Sequence, residues 1–120
     1  MKKKILLTED TIEILLNLQE YLIMEGYEVS IARNGEEALK QLHLVVPDII
    51  ITDLLMDVMT GFELISELKK NPLWSKIPIL VFSAKPINED LDPAEIGADR
   101  FILKPSPPEV ILEMIRELIH

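Results

Sequence analysis

Pro47-Asp48-Ile49-Ile50-Ile51-Thr52-Asp53 decides the architecture. Three consecutive isoleucines cannot present one dry face and one wet face. A strand over residues 48–52 is therefore covered on both sides, as central strands of parallel sheets are. Ile77-Pro78-Ile79-Leu80-Val81-Phe82 repeats the pattern and gives a strand over 77–82. Working outward, Lys4–Thr8, Glu28–Ala32 and Arg100–Leu103 read as three further strands.

Between the strands the apolar spacing becomes helical. Ile12, Leu15, Leu16, Leu22 and Ile23 suit one apolar helix face, and Gly26 supplies its stop. Ile111, Met114, Ile115 and Leu118 form the same pattern in the last segment. Helix starts are marked by a capping residue three positions before Glu: Asn34 and Glu37, Thr60 and Glu63, Ser106 and Glu109. Pro107 is expected at the first helical position, where its missing N–H costs nothing. Five β-α pairs follow, an α/β fold with a doubly wound five-stranded parallel sheet, helices on both faces and right-handed crossovers. Pro86 and Pro93 interrupt the fourth helical segment. A proline inside a helix costs ~3 kcal/mol. The expectation is a short fourth helix starting near Pro93, with 85–92 as a loop.

The chain has 120 residues, enough for one domain over 1–120, and 48% of them are hydrophobic. It has no cysteine, which excludes disulfide and thiol chemistry. No apolar run approaches the roughly 20 residues of a membrane span, and the basic start lacks the apolar length of a secretory signal. A cytoplasmic location without membrane contact is the expectation. The net charge is −9, with 21 acidic residues against 12 scattered basic ones. Direct nucleic-acid binding needs clustered cations and is not expected.

Ligands of open α/β sheets bind beyond the carboxyl ends of the strands. Glu9 and Asp10 stand there after the first strand, Asp53 after the third, Ser83 after the fourth and Lys104 after the fifth. Crowded carboxylates repel one another, and a small hard cation such as Mg²⁺ relieves this with oxygen ligands. A carboxylate beside that cation can attack phosphorus and form an aspartyl phosphate. Lys104 supplies a second positive charge and Ser83 a hydroxyl donor. His43 and His120 have no metal-ligand spacing, and Trp74 in its loop reads as packing or surface.

These residues stand in segments that resemble, over nearly the whole chain, the receiver domain of two-component response regulators. The segments are Ile5-Leu6-Leu7-Thr8-Glu9-Asp10, the run 32–39 from Ala32 to Leu39, Pro47 to Asp53, Met56 with Gly61-Phe62-Glu63-Leu64, residues 77–84, and Gly97 to Pro105. The resemblance implies a flavodoxin-like strand order of 2-1-3-4-5. It implies that Asp53 is the phosphoryl acceptor, and that Glu9, Asp10, Asp53 and the backbone carbonyl of Leu55 hold Mg²⁺ or Mn²⁺. Lys104 would pair with the phosphoryl group, Ser83 and Phe101 would switch, and Lys104–Pro105 would be cis. The implied partners are a histidine kinase or histidine phosphotransfer protein and a downstream effector or fused output domain. Self-phosphorylation and slow dephosphorylation would be the only catalysis.

Two departures stand out. Asp57-Val58 replaces the family's usual Pro-Gly, which makes Asp57 a fourth carboxylate near the pocket mouth and a possible modulator. The 83–97 stretch is about one residue short and rich in proline. A degenerate receiver, acting as a phosphorylation-independent interaction module, is the alternative. An aspartate-nucleophile phosphohydrolase is a third reading. Such enzymes usually carry the nucleophile after the first strand with a second aspartate two residues on, where this chain has Leu55.

Overall fold

The computed structural model describes residues 1–84 and 93–120. Strands β1 (Lys4–Thr8), β2 (Glu28–Ala32), β3 (Ile49–Thr52), β4 (Ile79–Ser83) and β5 (Arg100–Leu103) alternate with helices α1 (Ile12–Met24), α2 (Gly35–Leu42), α3 (Gly61–Lys70), α4 (Pro93–Ile96) and α5 (Pro108–Ile119). The strands pair in parallel in the order β2-β1-β3-β4-β5, as expected for a flavodoxin-like sheet. Two strands begin later than the sequence suggests. Asp48 closes the entrance to β3 instead of joining it: its N–H donates to Lys4 O at 2.8 Å and its Oδ2 accepts from Lys4 N at 2.7 Å. Ile77 and Pro78 precede β4, although Pro78 O already accepts from Ile50 N.

The isoleucine run lies at the centre, with Ile49, Ile50 and Ile51 all at most 1% exposed. Alternation along the strands divides the core in two. Ile5, Leu7, Ile49 and Ile51 pack with Leu15, Leu18 and Leu22 of α1 and Ile111, Leu112 and Ile115 of α5. Leu6, Ile50, Ile79 and Val81 pack with Ala38 and Leu42 of α2 and Leu64, Ile65 and Leu68 of α3. Trp74 completes this second layer, with His43 edge-on to its ring at 5.0 Å between centroids.

The apolar face expected for α1 is corrected. Leu15 and Leu22 are buried, but Ile12, Leu16 and Ile23 are 44–47% exposed, and Leu18 takes the inner position between the two leucines. The helix carries more apolar residues than one face can bury, so spacing alone did not identify the inner set. Gly26 ends the helix with φ +98°, a left-handed conformation that suits glycine.

The caps also sort unevenly. Asn34 Oδ1 accepts from Glu37 N at 2.9 Å, while Glu37 reaches back to Arg33 N. Thr60 and Glu63 form a complete reciprocal capping box. The third expected cap does not form. Ser106 Oγ donates instead to Leu103 O at 2.8 Å, Pro107 occupies the N-cap and Pro108 the first helical position. The single turn of α4 starts at Pro93 as expected, and the loop expected over 85–92 lies outside the described residues. Among the described residues, no helix is long and apolar enough to cross a membrane. Thr60→Ala, which removes the acceptor for Glu63 N, should cost about 1 kcal/mol, read as a lower urea midpoint with unchanged slope.

Candidate functional site

Backbone bonds carry the sheet one residue past its carboxyl edge. Glu9 N donates to Ala32 O at 3.0 Å, Asp53 N to Thr8 O at 3.1 Å and Lys104 N to Ser83 O at 2.8 Å. These bonds bring Glu9, Asp53, Ser83 and Lys104 to one rim, although they lie far apart in the chain. Glu9, Asp53 and Ser83 are buried, at 2%, 7% and 2% exposure.

Asp53 is held by side-chain and backbone donors. Its Oδ1 accepts from Leu54 N (2.7 Å), Leu55 N (3.3 Å) and Ser83 Oγ (2.5 Å), and its Oδ2 accepts from Lys104 Nζ (2.8 Å). Lys104 Nζ also donates to Glu9 Oε2 at 2.6 Å and lies 5.4 Å from the centre of the Phe82 ring. One carboxylate oxygen from each of Glu9, Asp10 and Asp53 lies within 4.8 Å of the others. The site therefore gathers three carboxylates, two of which pair with one ammonium.

Proton affinities follow from this crowding. Burial pushes the Glu9 carboxyl above its ordinary range; Lys104 opposes this only in part, and Asp53 adds to it. Burial alone would lower Lys104, but its hydrogen bonds to Asp53 and Glu9 outweigh that and raise it. The ammonium is thus firmly charged at neutral pH, and the pocket retains an excess of negative charge. A small divalent cation with oxygen ligands fits that excess and that spacing.

The remaining expected residues lie around this centre. Leu55 has an exposed side chain while its backbone lines the Asp53 turn. Phe101 is half-buried against the second core layer, in register with Val81. Asp57 is exposed and stands outside the three-carboxylate group. Val58 takes φ +69° within a tight turn in which Met59 N donates to Asp57 O at 2.8 Å. That conformation favours glycine, the residue the family resemblance expects there. The Lys104–Pro105 peptide is cis.

Sequence reading missed Gly61 as a site residue. Its N–H donates to Leu54 O at 2.9 Å, and its backbone lies so close to the Asp53 turn that a Cβ would sit 2.0 Å from Asp53 O. Gly35 plays a similar part at the start of α2, where its N–H donates to Met59 O. The sequence shows both just after a helix cap and within segments that resemble the family, and nothing local reports a contact from another element.

A parallel sheet in this order, with an acidic cluster and a lysine at its carboxyl edge, defines a receiver domain, the switch component of two-component signalling. The chain belongs to the response regulator receiver domain family, whose profile matches residues 5–116. It is 38% identical over 120 residues to "Probable transcriptional regulator ycf29" of Pyropia yezoensis, covering 99% of this chain and 54% of that protein. The chain spans about half the length of the curated relatives it matches. Among solved structures, the chemotaxis response regulator CheY4 of Vibrio cholerae superposes with a TM-score of 0.89 at 30% identity, covering 98% of this chain and 99% of that one. TrrA of Thermotoga maritima, solved in complex with Mg²⁺-BeF, superposes with a TM-score of 0.83 at 30% identity, covering 97% and 98%.

Proposed function

We propose that this domain accepts a phosphoryl group on Asp53 from the phosphohistidine of a histidine kinase or histidine phosphotransfer protein. The observation that carries this reading is the Asp53 carboxylate itself, fixed by Leu54 N, Leu55 N, Ser83 and Lys104 beside two further acids. The Mg²⁺-BeF complex of TrrA supports it by similarity. In the transfer, an Asp53 oxygen bonds to phosphorus while the P–N bond breaks and its electron pair returns to the imidazole nitrogen. Glu9, Asp10, Asp53 and the Leu55 carbonyl would hold Mg²⁺ or Mn²⁺. When bound, the ion neutralises the carboxylates and the phosphoryl oxygens.

Lys104 pairs with the incoming group, and Ser83 transfers its hydrogen bond from Asp53 Oδ1 to a phosphoryl oxygen. Phe101 then turns further inward and changes the surface around β4 and β5 for an effector or output domain. Asp57 modulates cation affinity from outside. Catalysis is confined to self-phosphorylation and slow dephosphorylation. A cytoplasmic setting without direct nucleic-acid contact suits this role.

The test is incubation with acetyl phosphate and Mg²⁺. A single base-labile adduct that chelation prevents supports the switch. No adduct supports the interaction module, and multiple turnover of phosphate esters supports a hydrolase.

Cation affinity should also depend on pH. The raised Glu9 carboxyl favours the protonated form in the fold, so ionising it in the cation-free domain costs stability that is present at acid pH and lost as pH rises through the raised value. Protons therefore compete with Mg²⁺. Affinity should fall on acidification with a midpoint above the ordinary 4.5, and calorimetric titration across pH measures it. A midpoint at or below that value contradicts the assignment.

A further inference from the structure

Strand β2 is an edge of the sheet, and its two outward carbonyls accept bonds from side chains in a way the signalling role does not require. Glu28 N donates inward to Lys3 O and Ala32 O accepts inward from Glu9 N, each at 3.0 Å. By alternation, the N–H and C=O groups of Val29 and Ile31 point away from β1, toward the open edge. Two helices reach across to meet them. Gln19 of α1 donates its Nε2 to Val29 O at 3.3 Å, and Gln41 of α2 donates its Nε2 to Ile31 O at 3.3 Å. The helices before and after β2 thus each place one amide on one of its two outward carbonyls.

The sequence of β2 suits pairing with itself. Place a second copy antiparallel, with Ser30 opposite Ser30. Val29 then faces Ile31 of the second copy, and each such pair can exchange two N–H···O=C bonds. Glu28 faces Ala32, so no like charges oppose one another, and the apolar pairs Val29–Ile31 lie side by side. This ribbon would continue the sheet through a two-fold axis. The carbonyls it needs are those of Val29 and Ile31, the two already held by glutamines. Free edge strands of this kind invite pairing unless something blunts them.

We propose that Gln19 and Gln41 form a latch that closes β2 against antiparallel pairing with a second copy of this chain. Released, the edge becomes a homodimer interface. The latch lies away from the Asp53 site, so its failure would leave the phosphoryl-acceptor reading intact.

The test is the double variant Gln19→Met/Gln41→Met, which keeps the side-chain length and removes the amide donors. Sedimentation equilibrium and amide hydrogen exchange are read over a concentration series. Wild type should stay monomeric while the double variant doubles its mass, with exchange at the Val29 and Ile31 amides slowed about tenfold or more on concentration. Adding Ser30→Lys places like charges across the axis and should restore the monomer. A double variant as monomeric as wild type overturns the latch. So does a dimer whose Val29 and Ile31 amides exchange unchanged, or one that Ser30→Lys leaves intact. Should the double variant fail to fold, the single variants decide: self-association with slowed exchange at β2 supports the latch, and monomers matching wild type overturn it.

Discussion

Lys104→Met should weaken the domain in cation-free buffer, recover most of that stability when Mg²⁺ is added, and transfer phosphoryl groups about a hundredfold more slowly even at saturating Mg²⁺. All three effects come from one atom. Lys104 Nζ stands 2.6 Å from Glu9 Oε2 and 2.8 Å from Asp53 Oδ2, and its side chain is only 14% exposed. Removing it leaves two buried carboxylates facing each other without their ammonium. Loss of one partner from such a buried group costs about 2–4 kcal/mol, less where a proton can be taken up. Glu9 provides that escape because burial already favours its neutral form. The loss should therefore shrink as pH falls.

The lysine's own titration does not confuse the measurement. Its raised pKa means that the pairing contributes stability below the ordinary 10.5 and loses it only as pH rises through the still higher folded value. At neutral pH the contribution is fully present. Urea titrations of wild type and variant, with and without Mg²⁺, measure the stability effect, and adduct formation from acetyl phosphate measures the rate. A variant as stable as wild type without the cation would show that the ion pairs contribute little.

Gly61→Ala should be as damaging without touching a charge. The new Cβ would lie 2.0 Å from Asp53 O, 2.9 Å from Asp53 C and 2.7 Å from Leu54 Cα, all backbone atoms that no rotamer change can move aside. Either the α3 start or the Asp53 turn must shift. Overpacking of this kind costs about 3 kcal/mol, and the Gly61 N–H bond to Leu54 O stretches with it. A shifted turn also misaims Asp53 Oδ1 from Leu54 N and Leu55 N, so phosphoryl transfer should slow as well. Mg²⁺ should not restore stability here, which separates the steric loss from the electrostatic one. Wild-type stability and rate in Gly61→Ala would contradict the close approach.

These two residues also show what the sequence could and could not disclose. Lys104 was legible because it follows the last strand in an ordered set of segments, and strand ends of an open sheet converge. The isoleucine run showed a doubly covered strand in the same way, and Asn34 and Thr60 announced their helices. Gly61 was not legible as a site residue because its constraint comes from Asp53 and Leu54, on another element, and leaves no periodic trace. The inner face of α1 is illegible in the sequence for a related reason. Ile12, Leu16 and Ile23 satisfy helical spacing as well as Leu18 does, and only the position of the sheet decides which are buried. Ser106 fits a cap by its spacing to Glu109, whereas the chain turns there on Ser106 Oγ donating to Leu103 O.

The central claim is that one acid in a crowd of three is esterified while a small cation and Lys104 balance the rest. Its most direct test is to phosphorylate the domain with acetyl phosphate and Mg²⁺, trap the acyl phosphate by borohydride reduction and locate the modified residue by tandem mass spectrometry. The account predicts a single modified position at Asp53, absent in Asp53→Asn and absent when Mg²⁺ is chelated. Modification at Glu9, Asp10 or Asp57 in place of Asp53, or an adduct that persists in Asp53→Asn, would contradict it.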